Sequence, residues 1–327
     1  MNAVRFHSMQ LSICLLLALA STAAAQDLAK DYPAKPVRVI VPFPPGAIND
    51  SIGRTIATQL SARLGKQFVV DNRSGAGGVI GSELAANAPK DGYTLLVVSL
   101  VNAVNPWLYK LPYEPIKSFE PIAGLASAPN VLVVHPELPV KSVGELIALA
   151  RQKPGQIQYA SGGVGSFQHL GGELFKLMAG VDMLHVAFKG GGPALIDVLG
   201  GHTKVIFATT ITALPHIRSG KLRALGLGAR ERSPVLPDLP TIAEAGVPGY
   251  EAVNWIGLVA PAGTPAAIVA KLQQEIAAIQ DTPELQKQFA AEGVEAMRMA
   301  QADFGAFMAQ EMGKWERVVK EGGIKPE

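Results

Sequence analysis

Two stretches of the chain join an apolar, strand-like run to a glycine turn and a helical pattern. Val37-Arg-Val-Ile-Val-Pro-Phe43 runs into Pro44-Pro-Gly-Ala-Ile-Asn-Asp50, and Tyr159-Ala-Ser-Gly-Gly-Val-Gly-Ser166 runs into Phe167-Gln-His169. The first N–H groups of a helix have no intrahelical acceptor, and its dipole adds about half a positive charge there, so such a turn suits holding an anion. A carboxylate seated on it accepts charge-assisted bonds of roughly 1.5–3 kcal/mol each. In the first turn Phe43, Pro45, Gly46 and Ala47 form the bend, and the helix is expected to begin near Asp50, with Asp50 as its cap. In the second, Gly165 completes the turn, Ser166 is the expected N-cap and Ser161 a ligand donor. His169 either faces the ligand or packs. Each turn alone also reads as an ordinary strand-to-helix connection; two of them predict a two-lobed clamp.

Catalytic and cofactor readings fail on spacing. Gly-x-Ser-x-Gly is not met around Ser166, because Val164 and Gln168 stand where glycines are required. The histidines at 135, 169, 185, 202 and 216 are scattered, and His-Glu-x-x-His is missing, so no catalytic residue and no metal is assigned. Phe188-Lys-Gly-Gly-Gly-Pro193 places lysine before its glycines rather than after them. From Gly75 the dinucleotide fingerprint breaks at Ile80, which leaves no cofactor, and the glycines there are read as permitting close packing of helix on strand. A secreted serine hydrolase using Ser161 or Ser166 with His169 is the remote enzymatic alternative.

The elements that must position these turns alternate. Strands are expected at Val37–Val41, Phe68–Val70, Thr94–Ser99, Val131–Val134, Ile157–Ala160, Leu184–Phe188, Lys204–Ala208, Arg223–Leu227 and Trp255–Ala260, which reads as α/β with a mostly parallel sheet. Ile52, Ile56, Leu60 and Leu64 define one helix face, and Leu170, Leu174 and Met178 another. Phe304, Phe307, Met308, Met312, Trp315 and Val319 make a core stripe near the end of the chain.

Residues 1–25 read as a cleavable signal peptide: Arg5, an apolar run from Leu11 to Leu19, and an Ala-x-Ala site ending at Ala25. The only cysteine, Cys14, lies inside it, so the mature chain forms no disulfide or thiolate metal site. A formal charge of +2 and 6% aromatic residues give no basis for nucleic-acid binding. The length predicts two domains. If the chain leaves the first lobe near residue 126 and returns near 252, then 26–126 and 252–327 form domain 1, 127–251 form domain 2, and two strands make a hinge.

Tyr32-Pro-x-Lys-Pro36, Val41-Pro-Phe-Pro-Pro-Gly46, Asp71-Asn-Arg-x-Gly-Ala-Gly-Gly78, Asp91-Gly-Tyr-Thr-Leu-Leu96, Lys110-Leu-Pro-Tyr113, His185-Val-x-Phe-Lys-Gly190, Pro240-Thr-x-x-Glu-Ala-Gly246 and Pro261-Ala-Gly-Thr-Pro265 occur in that order. This series resembles the Bug family, periplasmic receptors of tripartite tricarboxylate transporters. The resemblance implies a periplasmic-binding-protein-like fold, two α/β domains joined by a two-strand hinge, that closes over a small carboxylate. It implies a ligand held by the loops Phe43–Asp50 and Ser161–His169, with Ser99, Asn102 and Thr209 lining the remainder. It further implies a monomer in the periplasm whose partner is a membrane permease or, alternatively, a sensor-kinase ectodomain. Many relatives carry an acid where this chain has Ala208, so plain or aromatic acids are expected over α-amino acids; Ala47 replaces a common second glycine and is expected to narrow the pocket.

Overall fold

The computed structural model describes residues 30–325; the signal peptide expected over residues 1–25 lies outside them. The strands are β1 (Val37–Val41), β2 (Phe68–Asn72), β3 (Thr94–Ser99), β4 (Phe119–Val134), β5 (Gln158–Ser161), β6 (Leu184–Ala187), β7 (Val205–Thr209), β8 (Arg223–Leu227), β9 (Val253–Pro261) and β10 (Glu295–Ala296). They follow the order β2-β1-β3-β9-β4-β7-β5-β6, and β8 and β10 each pair with β4. The sheet is mixed, not mostly parallel. β1, β2 and β3 are parallel, as are β5, β6 and β7, but β4 and β9 form only antiparallel pairs.

β4 is the element the sequence concealed. Its first part, Phe119–Pro129, is rich in small residues and reads as a boundary stretch. It is a strand because both of its faces are covered: Ile122, Ala123, Leu125, Ala126 and Ala128 are all buried. The strand continues unbroken into Val131–Val134, so one 16-residue element serves both halves of the sheet.

Its direction decides which ends meet. β3 and β4 both run against β9, and therefore run the same way; β4 then runs against β7. The C-terminal ends of β1 and β3 thus point toward the second half, and those of β5, β6 and β7 point back toward the first. Ser99 is level with Ile256 and, through it, with Ala126 of β4, while Thr209 is level with Asn130. Four residues of β4, about 13 Å, separate the levels at which β3 and β7 end.

Helices cover the sheet: α1 (Ile48–Leu64), α2 (Val79–Ala86), α3 (Leu100–Leu108), α4 (Val143–Gln152), α5 (Phe167–Ala179), α6 (Gly191–Leu199), α7 (Thr210–Arg218), α8 (Ala266–Gln280), α9 (Pro283–Glu292) and α10 (Gln301–Glu321). The expected face of α1, Ile52, Ile56 and Leu60, packs on Val39, Val41, Leu95 and Val97. On α5, Leu170 and Leu174 are buried as expected, but Met178 is 40% exposed, because it lies beyond the turns that pack on the sheet. α10 buries Phe304, Met308, Trp315 and Val319, packs against both α3 and α5, and so touches both halves.

A buried carboxylate fastens α10. Glu311 accepts from Trp255 Nε1 of β9 at 3.0 Å, from Trp315 Nε1 at 2.9 Å and from Lys314 Nζ at 2.7 Å. Removing it strands two buried indole N–H groups, so Glu311→Ala is expected to lower unfolding free energy by about 2–4 kcal/mol. Glu311→Gln, which keeps an acceptor, is expected to lose less. Urea unfolding of the three proteins checks this, and equal stabilities would refute it.

Candidate functional site

The turn after β1 is built by its own side chains. Gly46 adopts φ 82°, which only glycine takes without strain, and Ala47 becomes the N-cap in extended conformation. Helix α1 therefore starts at Ile48, and Asp50 is not its cap. Asp50 sits in the first turn and reaches back, accepting from Gly46 N at 2.9 Å, from Asn72 Nδ2 at 2.8 Å and from Arg54 Nε at 2.9 Å. Asn72 also donates to Phe43 O at 3.0 Å and accepts from Arg54 at 2.7 Å. Burial acts to raise the Asp50 pKa, but the bonds from Arg54, Asn72 and Gly46 outweigh it and hold the carboxyl below its ordinary range. The backbone N–H groups of Ile48 and Asn49 are left with no acceptor among the described residues.

The turn after β5 repeats the device with different chemistry. Ser166 caps α5, accepting from His169 N at 3.3 Å, as its sequence position predicts. Gly165, at φ 73°, donates its N–H to His169 Nδ1 at 3.1 Å. His169 is 5% exposed and stacks on His185 with ring centroids 3.8 Å apart, and His185 stacks in turn on Tyr159. Ser161 Oγ, fully buried, lies 2.5 Å from His185 Nε2 and accepts from Gly163 N. The Tyr159 hydroxyl donates to Glu173 at 2.5 Å, and Lys176 pairs with the same carboxylate at 2.9 Å. Phe167 N and Gln168 N, the first two donors of α5, have no acceptor among the described residues.

Each candidate residue thereby has a place. Phe43, Gly46, Ala47 and Asp50 share one turn, Ser161, Gly165, Ser166 and His169 the other, and the two turns stand at strand ends that face one another. Pro45 is exposed at the tip of the first. Ser99 closes β3, and its N–H donates to Asn102 Oδ1 at 2.9 Å, while Asn102 Nδ2 donates to Ser82. Thr209 ends β7 with its hydroxyl on Thr212. α3 links the two sides: it begins at Ser99, and a Cβ on Gly165 would stand 2.6 Å from Leu108 Cδ1 at its other end. Ala208 packs with Val131 and Ala194 in a core cluster, so the residue at the strand end is Thr209.

Sequence reasoning missed His185, Asn72 and Arg54, which touch no ligand-like turn in the sequence and are joined to one only by folding. The serine hydroxyl that meets a histidine ring is Ser161 against His185, and it is buried under the turn rather than presented to a substrate. Among the described residues no cluster of three or more His, Cys, Asp or Glu is placed for a metal ion.

The stacked pair gives the turn a pH signature. Burial first, then the nearby His185 and Lys176 charges, push the His169 pKa from 6.5 down to about 3. Between those values the unfolded chain holds the extra proton, so this stabilisation is complete above pH 6.5 and is lost as pH falls toward 3. From pH 6.5 to 5 the loss reaches up to about 2 kcal/mol. In His169→Asn, whose Oδ1 still accepts from Gly165, urea unfolding at pH 7 and pH 5 is expected to differ by that much less than in the wild type. An unchanged difference would refute the assignment.

The family profile described as the tripartite tricarboxylate transporter family receptor matches residues 52–324. Protein BugT of Bordetella pertussis is 38% identical over 305 residues, covering 92% of this chain and 94% of BugT. Among solved structures, Rpa4515 of R. palustris with adipate superposes with a TM-score of 0.80 at 37% identity, covering 91% of this chain and 100% of that one. MatC of Rhodopseudomonas palustris with bound malate gives a TM-score of 0.76 at 33% identity, covering 88% and 100%. The identity, the coverage and the shared mixed α/β fold agree with the collinear motifs of the sequence, and the chain belongs to the Bug family of tripartite tricarboxylate transporter receptors, which bind solutes and are not enzymes.

Proposed function

We propose that the chain captures a small carboxylate between two lobes in the periplasm and delivers it to the membrane permease of a tripartite tricarboxylate transporter. The observation that carries this reading is that two helix N-termini, α1 and α5, each with two backbone N–H groups lacking an acceptor among the described residues, stand at strand ends that point toward one another. Rpa4515 and MatC, which share the fold, hold small carboxylates, adipate and malate.

In this reading residues 26–126 and 252–327 form one lobe and 127–251 the other. The crossings are β4 and the segment that returns to β9, where Asn130 N bonds Ala252 O at 3.1 Å and Ala252 N bonds Gly228 O at 2.9 Å. Closure by bending at these crossings brings the turns onto the ligand. Asp50, Ser161 and His169 act as supports that hold the donors in place, and the ligand meets backbone N–H groups, the Ser99–Asn102 corner and Thr209. The expected signal peptide accounts for export.

A thermal-shift screen of small mono-, di- and tricarboxylates tests capture. At 100 times its dissociation constant a bound acid is expected to add about 2.7 kcal/mol to stability, and a screen with no shift from any acid would refute the reading. Delivery is tested in cells: deleting the gene is expected to abolish uptake of the acid found in the screen while leaving acid-induced transcription intact. Lost induction with normal uptake would transfer the receptor to a sensor kinase.

A further inference from the structure

Asn49 is the second residue of α1, 5% exposed, and its Nδ2 has no hydrogen-bond partner. Ser99, the last residue of β3 and the N-cap of α3, is fully buried, and its Oγ faces the Asn102 N–H in a loose capping box and makes no other hydrogen bond. Helical and strand periodicity bring them to one place. Gly53, one turn beyond Asn49 on the same helix face, lies against Val41 and Val97, and Ser99 is two residues beyond Val97 on the same face of β3. Both therefore stand at the end of the strand-helix layer, where the first two backbone donors of α1 are also unspent.

A buried amide with an unmatched N–H keeps the cost of its lost hydration with no bond to offset it. The neighbouring polar groups show that this turn can satisfy its members: Asp50 and Asn72 bond each other, and both bond Arg54. Asn49 is left out of that network. The set it joins is made of donors, namely its amide and two backbone N–H groups, with one hydroxyl that can serve either way. The Asp50 carboxylate, which would welcome a ligand ammonium, is turned back into the loop and saturated.

We infer that Asn49 and Ser99 form a specificity-determining pair that reads a second acceptor group on the ligand, a distal carboxylate, at the first-lobe end of the gap. This rests on the proposed capture of a carboxylate and adds which side chains tell a diacid from a monoacid of the same length. A site built to hydrogen-bond a polar group rejects the analogue lacking it, because the buried donors stay unpaired.

The test compares adipate with hexanoate and malate with 3-hydroxybutyrate by titration calorimetry on the wild type, Asn49→Leu and Ser99→Ala. The wild type is expected to bind at least one diacid tenfold or more tighter than its monoacid partner. Asn49→Leu is expected to erase that preference, with monoacid affinity changed less than twofold, and Ser99→Ala to reduce it. Because Leu fills the same space without an unmatched N–H, the ligand-free variant is expected to melt no lower than the wild type. Equal loss of affinity for diacid and monoacid, or a lower melting temperature without ligand, would show that Asn49 is structural and overturn the inference. A wild type that shifts with monoacids but shows no diacid preference overturns it while leaving capture standing, whereas a wild type that binds no carboxylate removes both.

Discussion

The reversal of strand direction along β4 is the constraint on which the rest depends. A parallel α/β layer always leaves its helix N-termini at the C-terminal ends of its strands. Two such layers in one chain face each other only if the strand between them runs with one set and against the other. β4 does this within a single strand, paired to β9 on one side and to β7 on the other. In the proposed site the N–H donors of α1 and α5 face the same gap for that reason.

Much of this was legible in the sequence because the signals are local. The ranges Val37–Val41, Thr94–Ser99 and Arg223–Leu227, the Ser166 cap and the core stripe of α10 rest on periodicity and capping chemistry, and they agree with the fold. What stayed hidden depends on contacts distant in the chain. Phe119–Pro129 has the composition of a linker and becomes a strand only because β9 and β10 flank it. Asp50 looks like a cap until Asn72 and Arg54 draw its carboxylate back to Gly46. His185 is one histidine among several until β6 lies beside β5 and stacks it on His169.

Those hidden contacts share one physical effect. Each turn spends some of its polar groups on itself, and this fixes the remaining donors before any ligand arrives. Gly46 N–H is held by Asp50 and Gly165 N–H by His169. The two turns reach the same end by different means, a carboxylate with Arg54 in one and a neutral imidazole under a histidine stack in the other. A pre-ordered loop loses less conformational entropy on binding, so more of each hydrogen bond to the ligand appears as affinity.

The same economy decides what kind of attraction the gap exerts. Arg54 is bound to Asp50 and Asn72, and Lys176 to Glu173, so these two basic side chains are already neutralised beside their own turns. Attraction then falls to peptide dipoles and amide or hydroxyl donors, which act at hydrogen-bond range and lose little to dissolved salt once water is excluded. Formal charge on the protein would draw any anion from a distance with little regard to shape. Fixed neutral donors reward an acid whose oxygens fall at the right separation.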